Sequence, residues 1–460
     1  MTKLYNAFRQ VAIRNPRQWA ISGGDGRHYY SQALMRVSLL AAHLKGDEHA
    51  AALIIGPKVT DTVLWQLACN KAGKVFIPCD SATPDARLAD ILTRTRPRWI
   101  LSNSRKDFAS AGYALSGQEG LFQVWATEGF SQYPQDVSHI IFSSGSTGVP
   151  KAILLPDAPV VDVVQAQAAM LGLEAGARFA WLLSPAFDAS LSDIYSTLLS
   201  GGELHVCNFS MRSVKTLQAY FRQHRITHSD LSPSLLPLLN PGAMPELRAL
   251  IFGGELAKES VVFEWVAQGK RLFNAYGPTE TTICSSLREV SSGWTATNIG
   301  TPLPGVTYWR KEGEQFQACN PGDKGELYIG GSHLALGYDN AELTATRFVE
   351  QDGKRYYKSG DVVEVDAAGE YHFKGRVDRQ LKYHGVLICP EEVEAQALRA
   401  GCSEALFRLE DKKLVLYYAG SVTEDELKAV LKAHLSPLAL PHRYCQMEAL
   451  PKSIAGKIQL

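Results

Sequence analysis

The sequence predicts an α/β fold with mostly parallel strands, followed by a β-rich module and a small α+β tail. Three observations carry this. Short apolar runs alternate with amphipathic segments as far as about residue 380, the pattern of strands buried on both faces and joined by helices. Beyond about residue 300 the runs become shorter, richer in β-formers and broken by Gly, Asp and Asn. After "GRVDRQLKYHG" helix-like and strand-like segments mix.

The elements follow in order. Leu4, Phe8, Val11 and Ala12 recur at helical spacing, closed by Asn15-Pro16, without the continuous apolar core of a signal peptide. Buried strands are expected at Ala51–Ile55, Lys74–Pro78, Arg98–Ser102 and His139–Ser143, and helices at Tyr30–Leu44 and Asp61–Gly73, the second ending on Gly. "GELYIGG" and "RYYKSGDVVEVDAAGEYHFKGR" read as an antiparallel or barrel-like module. In the tail, Pro390–Ala400 reads as a helix and Lys413–Gly420 as a strand. Thr423–Leu435 reads as a second helix, with Glu426 placed to close a capping box on Thr423.

Composition excludes several classes of function. Lys plus Arg and Asp plus Glu both number 47 in 460 residues, so no bulk charge favours nucleic acid or an anionic membrane. No apolar stretch reaches the length of a membrane span. The eight cysteines form no CxxC pair and the twelve histidines show no ligand spacing, so the thiols are expected to be reduced and the chain cytoplasmic.

Chemistry concentrates in a few segments. "IIFSSGSTGVPKAI" packs Ser143, Ser144, Gly145, Ser146, Thr147, Gly148 and Lys151 after a strand, where backbone N–H groups, hydroxyls and an ammonium suit a polyphosphate. It is not the Walker pattern, and a flexible surface loop is the bland alternative. "FNAYGPTETT" places Tyr276 to cover a base, Thr279 to bond a phosphate and Glu280 to hold Mg²⁺. Asp361 in "YKSGDVV" suits ribose hydroxyls, "KGRVDRQ" follows it, and "LPKSIAGKIQL" carries Lys457.

These segments, in this order, resemble the acyl-adenylate-forming superfamily, and within it the amino-acid-activating adenylation domains of nonribosomal peptide synthetases. The resemblance spans essentially the whole chain. It implies a large N-terminal domain, residues 1–377, of two parallel-type αβ sheets plus a distorted β-barrel, and a small mobile α+β domain, residues 378–460, hinged at Asp378. It implies ATP and Mg²⁺ as cofactors and a two-step reaction: a carboxylate gives an acyl-adenylate, then a thiol takes the acyl group. By motif match Thr279 contacts the α-phosphate, Glu280 the metal, Tyr276 the adenine, Asp361 and Arg376 the ribose, and Lys457 bridges carboxylate and phosphate. Gly254, Glu255, Asn274, Ala275 and Gly277 complete the nucleotide site. Two departures stand out: Ala152 where the family has Gly, and "KYHGVLICPEEVE", which keeps Gly385 but lacks the family's arginines.

The resemblance also implies a substrate pocket of Asp188, Ala189, Ser192, Asp230, Ile251, Gly253, Ala275, Ile283 and Cys284. Asp188 would pair with an α-ammonium; its alternative is an ordinary helix N-cap. Small residues at 192 and 253 suggest depth, and Asp230 favours a polar or cationic end group. An aromatic side chain with a polar or amino substituent fits first, lysine or ornithine next, and an acyl- or aryl-CoA ligase is the remaining alternative. No carrier-protein segment or condensation motif is visible. A separate phosphopantetheinylated carrier is therefore the expected partner.

Overall fold

The computed structural model describes residues 1–104, 106–143, 150–208, 214–384 and 386–451. Ser144, Gly145, Ser146, Thr147, Gly148, Gly385 and Lys457 lie outside the described residues. Contacts divide the chain into two units, one of Met1–Ser81, Arg96–Ile141 and Ala152–Val377, the other of Ala82–Thr95, Phe142–Lys151 and Asp378–Leu460.

The apolar runs become the central strands of two large sheets. One runs Ser286–Glu289, Arg271–Tyr276, Ala249–Gly253, His228–Asp230, Arg178–Trp181, Glu203–Val206, Trp19–Gly23, Gly26–Tyr29. Its six inner strands are parallel and its two edges antiparallel. In the other, His139–Ser143, Val75–Asp80, Ala51–Gly56 and Trp99–Ser102 form the parallel centre. Ala51–Gly56 is buried along its whole length, which is why it reads as an unbroken apolar run.

Several elements differ from expectation by a residue or a few at their ends. The helix from Tyr30 ends at Ala41 and tightens into a 3-10 turn over Ala42–Leu44. The strand expected from Lys74 begins at Val75, because the Lys74 N–H still donates to the Cys69 carbonyl at the end of the preceding helix, at 2.9 Å. The helix Thr60–Ala72 stops as the sequence implies, with Gly73 in the left-handed region at φ 68°.

The β-rich module is a seven-stranded antiparallel sheet between Asn298 and Arg376, with register breaks beside Asn298, Glu326 and Val362. Such breaks bend and twist a sheet. The helix Ala189–Ser200 is the most enclosed element near the site. It packs against the helices Lys3–Arg14 and Asp157–Leu171 and against the strands Arg178–Trp181 and Glu203–Val206. Every residue from Ser190 to Leu198 is therefore buried.

In the second unit the strands Glu404–Glu410, Lys413–Ala419 and Arg443–Met447 form one sheet, covered by the helices Pro390–Arg399 and Glu424–His434. Ile388, Val393, Phe407, Leu416, Leu427 and Leu431 build its core. Among the described residues no helix is long and apolar enough to cross a membrane.

The capping box is present: Glu426 N–H donates to Thr423 Oγ1 at 3.4 Å, and Thr423 N–H donates to Glu426 Oε2 at 3.0 Å. Thr423→Ala should cost this helix about 1 kcal/mol. Amide hydrogen exchange in its first turn should then accelerate roughly fivefold, with the first unit unaffected.

Candidate active site

Parallel strands bring their carboxyl ends to one edge, where α/β sheets bind ligands. Asp230 ends one strand and pairs with Ile251 on the next; Gly253 pairs with Ala275; Tyr276 ends the strand after that. The two glycines here answer to backbone. A Cβ at Gly253 would lie 2.4 Å from the Ala275 carbonyl oxygen, and one at Gly277 would lie 2.5 Å from Cys284 Cα. Glycine at 253 thus reflects this close approach, where the sequence suggested only depth.

Three of the residues expected at the nucleotide form a buried triad. Tyr276 Oη donates to Asp361 Oδ2 at 2.6 Å, and the Arg376 guanidinium bonds Asp361 Oδ1. Asp361 and Arg376 face each other as register partners on adjacent strands, which sets this pairing. Each carboxylate oxygen still has a second lone pair, so the triad can accept hydroxyl protons while Tyr276 is held in one orientation. Burial, with the neighbouring Asp361 carboxylate, pushes the Tyr276 pKa well up, so the phenol stays a donor. Asn274, two residues earlier on the same strand face, spends its amide on the Asn298 carbonyl at 2.8 Å. Gly254 follows its strand at φ 78°, and Glu255 Oε1 accepts the Ser234 N–H at 2.9 Å.

Thr279 and Glu280 share a 3-10 turn with Thr281. Glu280 is 4% exposed and its Oε1 accepts the Tyr338 hydroxyl at 2.6 Å. Among the described residues no three acidic, His or Cys side chains gather to hold a metal. A single buried carboxylate fits Mg²⁺, which retains water and phosphate oxygens and takes one or two protein carboxylates.

Asp188 fills one of the two roles the sequence left open, the helix cap. It caps the helix Ala189–Ser200, Oδ1 accepting the Ala189 N–H at 2.9 Å. Its Oδ2 is shut off from solvent and has no hydrogen-bond partner among the described residues. Burial pushes its pKa up to about 6; the Thr279 hydroxyl and the Ala189 N–H relieve this in part, and the Glu280 carboxylate adds to it. A cap needs one oxygen. The other is available to a cation.

Two residues expected in the substrate pocket, Ser192 and Cys284, are tied by a residue that sequence reasoning missed. Gln167 is 1% exposed; its Oε1 accepts Ser192 Oγ at 2.6 Å and its Nε2 donates to Cys284 Sγ at 3.1 Å. The available signal was a Gln on a buried stripe, with Val160, Val163, Val164 and Leu171 at helical spacing around it. Thr282 and Ile283 both adopt positive φ, 57° and 68°, a conformation β-branched residues avoid. That strain turns the chain so that Ile283 and Cys284 follow the Thr279–Glu280 turn directly.

Two further positions fall in the second unit. Ser143 ends its strand with Oγ buried, and Lys151 opens the next strand at 5% exposure. Asp378 is the first residue of that unit's C-terminal segment; its Oδ1 accepts the Gln380 N–H at 3.3 Å, beside Arg379 paired with Glu394 at 2.7 Å.

A family model described as "AMP-binding enzyme" matches residues 8–339. The chain belongs to the AMP-binding enzyme family. ATP and Mg²⁺ are its cofactors. Bacitracin synthase 3 of Bacillus licheniformis is 29% identical over 98% of this chain, which spans only 7% of that protein. Novobiocin biosynthesis protein H of Streptomyces niveus is 30% identical over 93% of this chain and 76% of its own length. Among solved structures, holo-PA1221, an NRPS protein containing adenylation and PCP domains, superimposes with a TM-score of 0.86 at 24% identity. It is matched by 100% of this chain over 83% of its own. That likeness establishes the fold: an α/β core with a smaller α+β unit.

Asp188→Asn keeps an oxygen for the cap and removes the buried charge. The folded-state pKa lies above the ordinary carboxylate value, so the group favours folding while protonated and loses that contribution as pH rises through about 6. The unliganded Asn variant should therefore melt higher than the native chain at pH 7.5, by about 3 °C. The gap should shrink at pH 5. Differential scanning calorimetry at the two pH values checks this.

Proposed function

We propose that the chain activates an L-α-amino acid as aminoacyl-AMP and passes it to the phosphopantetheine thiol of a separate carrier protein. The observation that carries this reading is the solvent-free Asp188 Oδ2 beside the Thr279–Glu280 turn, met by no cation among the described residues. A buried carboxylate without a partner is costly unless a cation meets it. An α-ammonium is the cation a simple acyl substrate lacks.

In the first half-reaction a substrate carboxylate oxygen attacks the α-phosphorus of ATP, forming the acyl–phosphate bond as pyrophosphate leaves. Asp188 fixes the amino group, and with it the direction of the carboxylate. Thr279 offers a hydroxyl to the α-phosphate, and Asp361, aligned by Arg376 and Tyr276, holds the ribose. Glu280 would hold Mg²⁺, which when bound neutralises charge on the phosphates. The phosphate loop Ser143–Lys151 and Lys457 supply the remaining positive groups in this reading. In the second half-reaction the thiol sulfur attacks the acyl carbon, a thioester forms and AMP leaves, the thiol proton passing to solvent. The 1–377 and 378–460 domains divide this work, with rotation about Asp378 exchanging Lys457 for the pantetheine arm. Ala189, Ile251, Ala275, Ile283 and Cys284 line the side-chain pocket, and Asp230 supports a polar or cationic end group. No disulfide joins the cysteines among the described residues, which accords with a cytoplasmic setting.

Amino-acid-dependent ATP–pyrophosphate exchange tests the reading. One α-amino acid should support exchange. Coenzyme-A-dependent turnover of an acid without an amine would overturn it. Lys457→Ala should abolish exchange yet leave transfer from preformed adenylate within about threefold, because it serves only the first half-reaction; equal loss in both would refute the assignment.

Asp378→Pro tests the hinge, since the proline ring fixes φ near −65°. Adenylation should stay near normal while single-turnover thioester formation on the carrier falls sharply.

A further inference from the structure

The turn that carries Thr279 and Glu280 is gripped by one short segment, residues 333–338. The Ala335 N–H donates to the Glu280 carbonyl at 2.8 Å, and the Thr282 hydroxyl donates to the His333 carbonyl at 2.8 Å. The Tyr338 hydroxyl donates to Glu280 Oε1 at 2.6 Å. Of these three bonds only the last reaches the carboxylate. The segment is itself fixed from behind. Arg355 donates to the Ala335 and Leu336 carbonyls at 2.8 and 2.7 Å, with its guanidinium 4.2 Å from the centre of the Phe348 ring. Gly337 and Tyr338 pair with Leu154 and Ile153 in antiparallel register. Thr344 Oγ1 accepts the Tyr338 N–H at 2.9 Å, and its Cγ2 lies 2.6 Å from where a Cβ at Gly337 would stand. Tyr338 is 5% exposed, its ring packed in a cluster with Ile153, Leu155, Leu334, Phe348 and Tyr357. Phenylalanine would fill that cluster as well. What it lacks is the hydroxyl, and the hydroxyl goes to Glu280.

We propose that Tyr338 is a positioning residue for Mg²⁺ binding: its hydroxyl holds Glu280 Oε1 and so fixes the plane of the carboxylate that receives the metal. This rests on the reading of Glu280 as the Mg²⁺ ligand. A free Glu side chain turns about three bonds and must give up that freedom to hold a cation. Mg²⁺ makes the demand stricter, because its octahedral shell tolerates little misplacement and takes only one or two protein carboxylates. With one carboxylate to offer, its direction governs the affinity. Two effects of the phenol oppose each other. A donated hydrogen bond draws charge from the carboxylate and weakens its pull on the cation, whereas holding it in place strengthens binding. Loss of a partner that orients a ligating group typically weakens metal binding about 10–100-fold. Orientation therefore outweighs the withdrawn charge, and the two effects predict opposite signs for Tyr338→Phe.

The test is calorimetric binding of α,β-methylene-ATP, which cannot be cleaved between the α- and β-phosphates, in Mg²⁺ and in EDTA. The native chain should bind the analogue more tightly in Mg²⁺. For Tyr338→Phe the affinity in Mg²⁺ should fall about tenfold while that in EDTA stays within about twofold. The Mg²⁺ concentration for half-maximal ATP–pyrophosphate exchange should rise to match, with the amino-acid KM unchanged. Glu280→Gln should show the same Mg²⁺-specific loss. Melting curves show whether each variant is folded. Should Tyr338→Phe unfold, Thr344→Ala, which removes the acceptor of the Tyr338 N–H, should give the same pattern at about threefold. Equal loss in Mg²⁺ and EDTA marks a merely structural role and overturns the inference, as does unchanged or tighter Mg²⁺-dependent binding by the folded variant. Mg²⁺-specific loss in Glu280→Gln alone refutes the part given to Tyr338 and leaves Glu280 as the ligand. Undiminished Mg²⁺ dependence in Glu280→Gln overturns both.

Discussion

The site depends on how closely the chain approaches itself at the end of the strand Arg271–Tyr276. At Gly277 the returning segment comes within 2.5 Å of where a Cβ would stand, and at Gly253 the neighbouring strand's carbonyl comes within 2.4 Å. No side chain fits at either point. That approach lets Tyr276 on one side of the turn reach Asp361, while Thr279 on the other faces Asp188. The groups proposed for nucleotide and for substrate are thereby held by one short stretch of backbone. Thr282 and Ile283 carry the conformational cost of the return.

The acids at this site work against the stability of the empty protein. Asp188, Asp193 and Asp230 all have pKa values raised by burial. A sequence optimised for folding alone would place apolar residues of similar size in a helix as enclosed as Ala189–Ser200. Asp361 is the contrast. It is more buried than Asp188 or Asp230, at 2% exposure, and spends both oxygens on Tyr276 and Arg376. One acid is structurally complete; the others are incomplete by themselves.

Much of this was legible in the sequence because periodicity and punctuation report local physics. Ala51–Gly56 read as a buried strand because it is apolar at every position, and the Thr423 helix announced its start through the Glu426 partner. The motif residues were legible as types, since phosphate, metal and ribose each demand particular donors or acceptors. What escaped was pairing across distance. Gln167 looks like a helix-former in "VVQAQAAML", and only the packing of two helices and a return loop shows that its two amide ends meet Ser192 and Cys284. Asp193 gives no sequence signal beyond one polar residue among apolar ones, because its enclosure on all sides is a property of the layers. Gly253 was legible as small, but the carbonyl that makes it so lies on another strand.

The Gln167 bridge has a consequence for how such a pocket can change over generations. Its carboxamide binds a hydroxyl with one end and a thiol with the other, so Ser192 and Cys284 are not independent positions. Replacing Ser192 by an apolar residue strands the Gln167 oxygen in a dry interior; replacing Cys284 strands its nitrogen. Single exchanges at the two walls should each be penalised, while a combined exchange that also alters Gln167 escapes the penalty. A lineage adopting a new substrate would therefore move through coupled substitutions, and residue 167, hidden behind the walls, would record the switch as faithfully as the residues that touch the ligand.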